Sequence, residues 1–246
     1  MNHPQNRKDH GNKVSDVTIN NYIRNIKVFF NYLDENNIIK QNPMKRIKTI
    51  KTVRKPLVFV SDVDYKRLIN SFDLSKFSEY RDQTIIMTLT DTGMRIGECL
   101  ATKLDDVNLN ERTIYLPAEI TKGKRGRYVF FSQQLARYLK RWIQFQDRYK
   151  ETDYLFCTNY GKPLQVTNFE TNVRKYTKKI GLVDIHPHVF RNNFAKRFLM
   201  NGGDIYTLSR ILGHSSVTVT EKEYLDLNTN DLKKQYANFS PLERMK

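Results

Sequence analysis

Three short segments place side chains that could act together on one ligand. In Thr92-Gly93-Met94-Arg95 an arginine stands just behind a glycine that reads as a helix end, so a turn can aim its guanidinium into a cleft. In His186-Pro187-His188-Val189-Phe190-Arg191, His188 and Arg191 are three apart, and a helix opened by Pro187 brings them to one face. In Leu212-Gly213-His214 a histidine follows a glycine that caps the preceding helix. Guanidinium and imidazole groups can hold an anion, and the overall charge suggests one: 42 Lys and Arg against 26 Asp and Glu leave a net of +16, which points to a polyanionic partner. Metal chemistry is the competing use. His186 and His188 could be taken for a metal pair, but no third His, Cys or carboxylate stands at ligand spacing, and the acidic residues form no set for two-metal phosphoryl transfer. No metal and no cofactor is expected.

The elements that must position these residues follow from periodicity. Apolar residues at Ile19, Tyr22, Ile23, Ile26, Phe29, Phe30 and Leu33 predict an amphipathic helix over 18–33 that needs a partner. Beyond Asn42-Pro43, the cations Lys45, Arg46, Lys48, Lys51, Arg54 and Lys55 run to Pro56 without an apolar stripe, which reads as a basic interdomain linker able to lie along a phosphate backbone. Ser61 caps a helix with an acidic first turn, 82–92 forms a second helix closed by Gly93, and a short one follows. Segments 112–116 and 127–131 are β-rich and joined by a hairpin whose tip carries Lys122, Gly123, Lys124, Arg125 and Gly126. Helices resume after Ser132, with Leu135, Leu139, Trp142 and Ile143 on one face, and after Thr167, then over 189–200, 204–212 and 216–225.

At 246 residues the chain can bury one large core with a small satellite. No apolar run approaches the roughly 18 residues a membrane span needs, and the polar stretch from Met1 to Asp16 is unlike a secretory signal. Cys99 and Cys157 share no metal-type spacing, so two buried or idle thiols in a reduced, cytoplasmic protein are expected.

The order arginine, lysine, His-x-x-Arg, Leu-Gly-His, tyrosine resembles the signature of the tyrosine recombinase and phage integrase family, from Pro56 to Phe239. The resemblance implies a mainly α fold with a small antiparallel β-sheet. A small helical core-binding domain precedes a tyrosine recombinase catalytic domain: residues 1–44 as a partial SAM-like DNA-binding domain, 45–56 as the basic linker, and 57–246 as the catalytic domain with its C-terminal tail. It implies that Arg95 and Arg191 grip the scissile phosphate, that His214 adds a hydrogen bond to it, that Tyr224 is the nucleophile and His188 its base. Lys122 would protonate the leaving oxygen, with Lys124 as runner-up. The cations of the linker, with Lys124 and Arg125, would contact DNA. Three departures stand out. Asn192-Asn193 follow Arg191 where the family often has His-Thr or His-Ser, and Tyr224 is ten residues after His214, one more than is common, with Glu223 at the usual place. Only one helix is evident before the linker, so part of the core-binding domain, or an arm-binding domain, is expected to be missing from the chain. Tyr236 stands too far along to serve.

The implied activity is metal- and ATP-independent strand transfer through a 3′-phosphotyrosyl link and a Holliday junction. Its partners are a double-stranded DNA recombination site and three further copies, a homotetramer in the synaptic complex from monomers in solution. Leu232 and Tyr236, on an expected last helix, could dock on a neighbour or on their own domain. We read the role as integration or excision of a phage or transposon, with a housekeeping Xer-like resolvase of chromosome dimers and a type IB topoisomerase-like relaxing enzyme as the alternatives.

Overall fold

The computed structural model describes residues 14–52, 57–148 and 151–224, and the chain divides after Lys55 into two units. In the first, α1 (Asp16–Glu35) is capped by Ser15, whose hydroxyl accepts from the Thr18 amide. Ile19, Ile23, Phe30 and Leu33 are partly buried, whereas Tyr22, Ile26 and Phe29 are exposed. The side-chain amide of Asn20 pairs with both backbone polar groups of Ile50 (2.9 and 2.8 Å), and Asn42 donates to Asn31 (2.8 Å). These bonds hold the basic stretch alongside α1, with Lys45, Arg46, Lys48 and Lys51 exposed. Arg54 and Lys55 lie outside the described residues.

The second unit runs α2 (Asp62–Asn70), α3 (Phe77–Thr92), α4 (Ile96–Ala101), β1 (Val107–Asn108), β2 (Thr113–Leu116), β3 (Arg127–Phe130), α5 (Gln133–Gln146), α6 (Val166–Lys179), α7 (Pro187–Met200), α8 (Ile205–Leu212) and α9 (Val217–Tyr224). It is mainly α with one small antiparallel sheet, ordered β1-β2-β3, in which Ile114 faces Val129. Ser61 caps α2 as its position suggests. β1, only two residues long, carries too little pattern to be read from sequence.

Helix α3 is the centre of this unit: every side chain from Arg81 to Leu89 is buried, and α5, α6 and α7 pack on it. A helix covered on all sides loses the apolar stripe that identifies a surface helix. It also begins five residues earlier than the sequence suggests, because Lys76 stands at its N-cap without a side-chain bond to announce it. The polar pair Arg81-Asp82, which reads as a helix start, is instead buried. Arg81 donates to Asp82 (2.8 Å) and to the Cys157 carbonyl (3.1 Å), and Asn172 and Tyr176 donate to Asp82 from α6. Burial pushes the Asp82 carboxyl above its usual range, against the pull of Arg81. On the α5 side Trp142 is fully buried beside Phe77 and Tyr80 and donates its indole N–H to the Leu155 carbonyl (2.7 Å). Both cysteines are buried, and burial raises the Cys99 thiol so that it is not ionised.

Asn193, one of the two departures behind Arg191, has a structural duty. Its side chain accepts from the Val60 amide (2.9 Å) and donates to the Val58 (3.1 Å) and Val189 (2.8 Å) carbonyls, fastening the segment before α2 onto α7. Asn193→Ala leaves these buried groups unpaired and is expected to cost about 1–3 kcal/mol, read as a lower midpoint in urea unfolding with an unchanged slope. Among the described residues no helix is long and apolar enough to cross a membrane.

Candidate active site

The site is assembled at the ends of helices. Gly93 closes α3 in the left-handed region (φ 65°), where a Cβ would also run into the ring of Phe194. The same left-handed glycine cap, Gly213, closes α8. Between these two ends sits Arg191 on α7, 2% exposed. Its guanidinium donates to the carbonyl of Gly93 (2.7 Å) and to that of Leu212 (2.9 Å). A buried cation is costly alone; here the negative ends of two helix dipoles and their unpaired carbonyls face it. The arrangement fixes the guanidinium before any ligand arrives.

His214, next after Gly213, faces Arg191 through Nε2 (3.0 Å) and the Thr220 hydroxyl through Nδ1 (2.7 Å). Because a guanidinium only donates, Nε2 accepts from Arg191 and Nδ1–H donates to Thr220. Thr220 is fully buried on α9, so the histidine ties α9 to α7. The described part of α9 ends at Tyr224, one helical turn past Thr220.

Arg95 is the N-cap of α4, with its side chain 28% exposed. Its backbone N–H and its guanidinium both donate to Glu98 (2.9 and 3.1 Å), a carboxylate 2% exposed that also receives two bonds from Arg127 (3.0 and 2.7 Å). Burial alone would push the Glu98 carboxyl up; Arg127 first, then Arg95, hold it below the usual carboxylate range, so it stays ionised. The hairpin tip between β2 and β3 is clasped by Thr121, whose hydroxyl accepts from the Arg125 amide (3.1 Å) and donates to the Arg125 carbonyl (2.9 Å).

Arg95, Lys122, Lys124, His188 and Arg191 line one cleft of about 500 Å³, together with His186 and Glu170. His214 lines a neighbouring cleft of about 520 Å³ across the hairpin tip, with Arg125, Arg127 and Arg210, and meets the first cleft through Arg191. His188 is exposed on the first turn of α7, and its ring lies parallel to that of His186 at 6.5 Å. Among the described residues no three His, Cys, Asp or Glu side chains are grouped to hold a metal. Sequence reasoning left Glu98, Arg127, Thr121 and Thr220 without roles. The only signal available was Glu98 three residues after Arg95, the spacing of a carboxylate that reaches back to a helix N-cap.

The geometry gives an expected outcome. Arg191→Lys keeps the charge but loses the fork that reaches two carbonyls and a ring nitrogen at once. If Arg191 grips a scissile phosphate, as the resemblance implies, single-turnover cleavage of a nicked duplex should fall roughly 10²–10³-fold, the effect of removing one preorganised donor from a developing oxyanion.

Residues 59–231 match the model of the phage integrase family. Tyrosine recombinase XerC of Listeria innocua is 30% identical over 234 residues, 92% of this chain and 77% of that protein. The crystal structure of XerA recombinase matches with a TM-score of 0.65 at 30% identity, over 93% of this chain and 78% of the other. The Tn1549 transposon integrase in complex with a circular intermediate DNA shares the fold, with a TM-score of 0.75 at 18% identity over 92% and 80%. The chain belongs to the phage integrase family of tyrosine recombinases. Its activity is therefore that of a tyrosine-type site-specific DNA recombinase.

Proposed function

We propose that this chain cuts and rejoins the strands of a double-stranded DNA recombination site with Tyr224 as the nucleophile. The observation that carries the reading is the buried Arg191, held by two helix ends and touching His214, in one cleft with Arg95, Lys122 and His188. A phosphodiester under attack gains negative charge on its non-bridging oxygens, and two fixed guanidiniums stabilise that charge as an oxyanion hole does, while His214 accepts from Arg191 and holds it in place. The phenol, with a pKa near 10, is almost entirely protonated at neutral pH. His188 accepts its proton as the bond to phosphorus forms, and Lys122 delivers one to the departing 5′ oxygen. The products are a 3′-phosphotyrosine and a free 5′ hydroxyl. That hydroxyl then attacks a partner strand's phosphotyrosine and releases the tyrosine, so bond energy is conserved and no nucleotide is consumed. Two such rounds pass through a Holliday junction held by four copies.

Residues 1–44 and the basic stretch 45–56 serve, in this reading, as a partial core-binding domain and a linker on the phosphate backbone; the exposed Lys45, Arg46, Lys48 and Lys51 support it. For the role, the relatives at 28–30% identity are XerC proteins and XerA, whereas the transposon integrase shares the fold at 18%. Asn193, one of the departures from the family's usual motif, serves packing. We therefore favour a Xer-like resolvase over an element-borne integrase. Unresolved chromosome dimers on gene deletion would fit the first, and loss of element excision alone the second.

The test of the chemistry is a nicked suicide duplex carrying the cognate site. A complex that survives denaturant and maps to Tyr224 is expected. A chain that binds the site and makes no covalent adduct, or makes it at another residue, sinks the proposal.

A further inference from the structure

We propose that Arg127 is a positioning residue for strand cleavage: it neutralises the buried Glu98 so that Glu98 can anchor Arg95 without capturing it, and it fixes the Lys122 hairpin to the end of α8 beside His214. This rests on the site reading above.

Three observations carry it. Glu98 is shared by two arginines, and its stronger partner is Arg127, with bonds of 3.0 and 2.7 Å against one guanidinium bond of 3.1 Å from Arg95. Arg127 is the inner of the two, 13% exposed against 28%, so Arg95 is the one presented to the cleft. The Nε of Arg127 donates to the Ile211 carbonyl (3.2 Å), and a Cβ on Gly213 would meet its guanidinium at 2.9 Å, so it is wedged against the turn that carries His214. Arg127 opens β3, five residues after Lys122.

The charges decide the consequence. One carboxylate with two guanidiniums leaves a net of +1, displayed at Arg95 toward the phosphate. Without Arg127 the group is neutral, and a buried carboxylate whose only cation is Arg95 competes with the phosphate for it. Removing that carboxylate as well should therefore return part of the lost cleavage rate; a merely structural rescue would show in the melting temperature, whereas a positioning rescue shows in the rate of variants that are fully folded at the assay temperature.

The test is single-turnover cleavage of the nicked duplex by full-length wild type, Arg127→Met, Arg127→Lys, Glu98→Gln and Arg127→Met/Glu98→Gln, with DNA affinity and melting measured on each. Arg127→Met should lower the maximal cleavage rate about 100-fold, with half-saturation by DNA changed less than about threefold. The double variant should cleave about tenfold faster than Arg127→Met alone. Arg127→Lys, which keeps the charge, should lie between Arg127→Met and wild type, and it decides the question if Arg127→Met fails to melt cooperatively. A folded Arg127→Met at the wild-type rate, a double variant no faster than Arg127→Met, or a folded Arg127→Lys that does not cleave overturns the inference while the site reading stands. A wild-type chain that makes no Tyr224 adduct overturns the site reading, and the inference with it.

Discussion

Tyr224→Phe is expected to bind its DNA site with wild-type affinity and to leave no covalent adduct on a suicide duplex. The change removes one oxygen, the atom that in the proposed reaction bonds to phosphorus. The contested point is the neighbour. Glu223 stands nine residues after His214, Tyr224 ten, and both positions fall within a turn of Thr220, the residue whose hydroxyl holds His214. The backbone of α9 therefore offers two candidates, and chemistry separates them. A carboxylate attacking phosphorus would give an acyl phosphate, a mixed anhydride cleaved by hydroxylamine, whereas an aryl phosphodiester resists it. Glu223→Gln should thus keep a hydroxylamine-resistant adduct at full yield. If the adduct survives in Tyr224→Phe and disappears in Glu223→Gln, the nucleophile has been assigned to the wrong residue. Tyr236 lies outside the described residues, and Tyr236→Phe is expected to leave the adduct in place.

What the sequence made legible depended on local signals. Arg95, Arg191 and His214 each stand next to a helix end, and helix ends are written in glycine and proline at fixed offsets: Gly93, Pro187 and Gly213 are all where the structure uses them. The hairpin was readable from its two β-rich segments and its basic tip, and α5 from the face that buries Leu135, Leu139 and Trp142. What escaped is tertiary. Arg127 meets Glu98 across 29 residues and Ile211 across 84, and Asn193 meets Val60 across 133; no periodicity joins such pairs. The start of α3 escaped for a related reason, since Arg81 and Asp82 look like solvent-facing charges until Asn172, Tyr176 and the Cys157 carbonyl close around them. Even Asn193, read as a departure from a catalytic pattern, is explained only by the segment it fastens.

Lys122→Ala should slow cleavage of an ordinary duplex roughly 10²–10⁴-fold, the usual worth of a positioned general acid, while Lys124→Ala should cost only a few-fold. Both lysines line the cleft with Arg95 and His188, so placement alone does not choose between them. The backbone does distinguish them: Lys124 occupies the left-handed region (φ 51°) at the tip, while Lys122 directly follows Thr121, whose hydroxyl bonds clasp the loop. The deciding substrate replaces the bridging 5′ oxygen with sulfur. A thiol has a pKa near 8.5 against about 15.7 for water, and an alkoxide is similarly basic, so a thiolate departs without a proton. Lys122→Ala should then cleave the sulfur substrate at close to the wild-type rate, although it cleaves the oxygen substrate poorly. A lysine that only holds a phosphate would behave otherwise, because the charge on the non-bridging oxygens is the same in both substrates, and sulfur would return nothing. Rescue of Lys124→Ala in place of Lys122→Ala would move the acid two residues along the hairpin, and rescue of neither would return the proton to a water or to a side chain outside the hairpin.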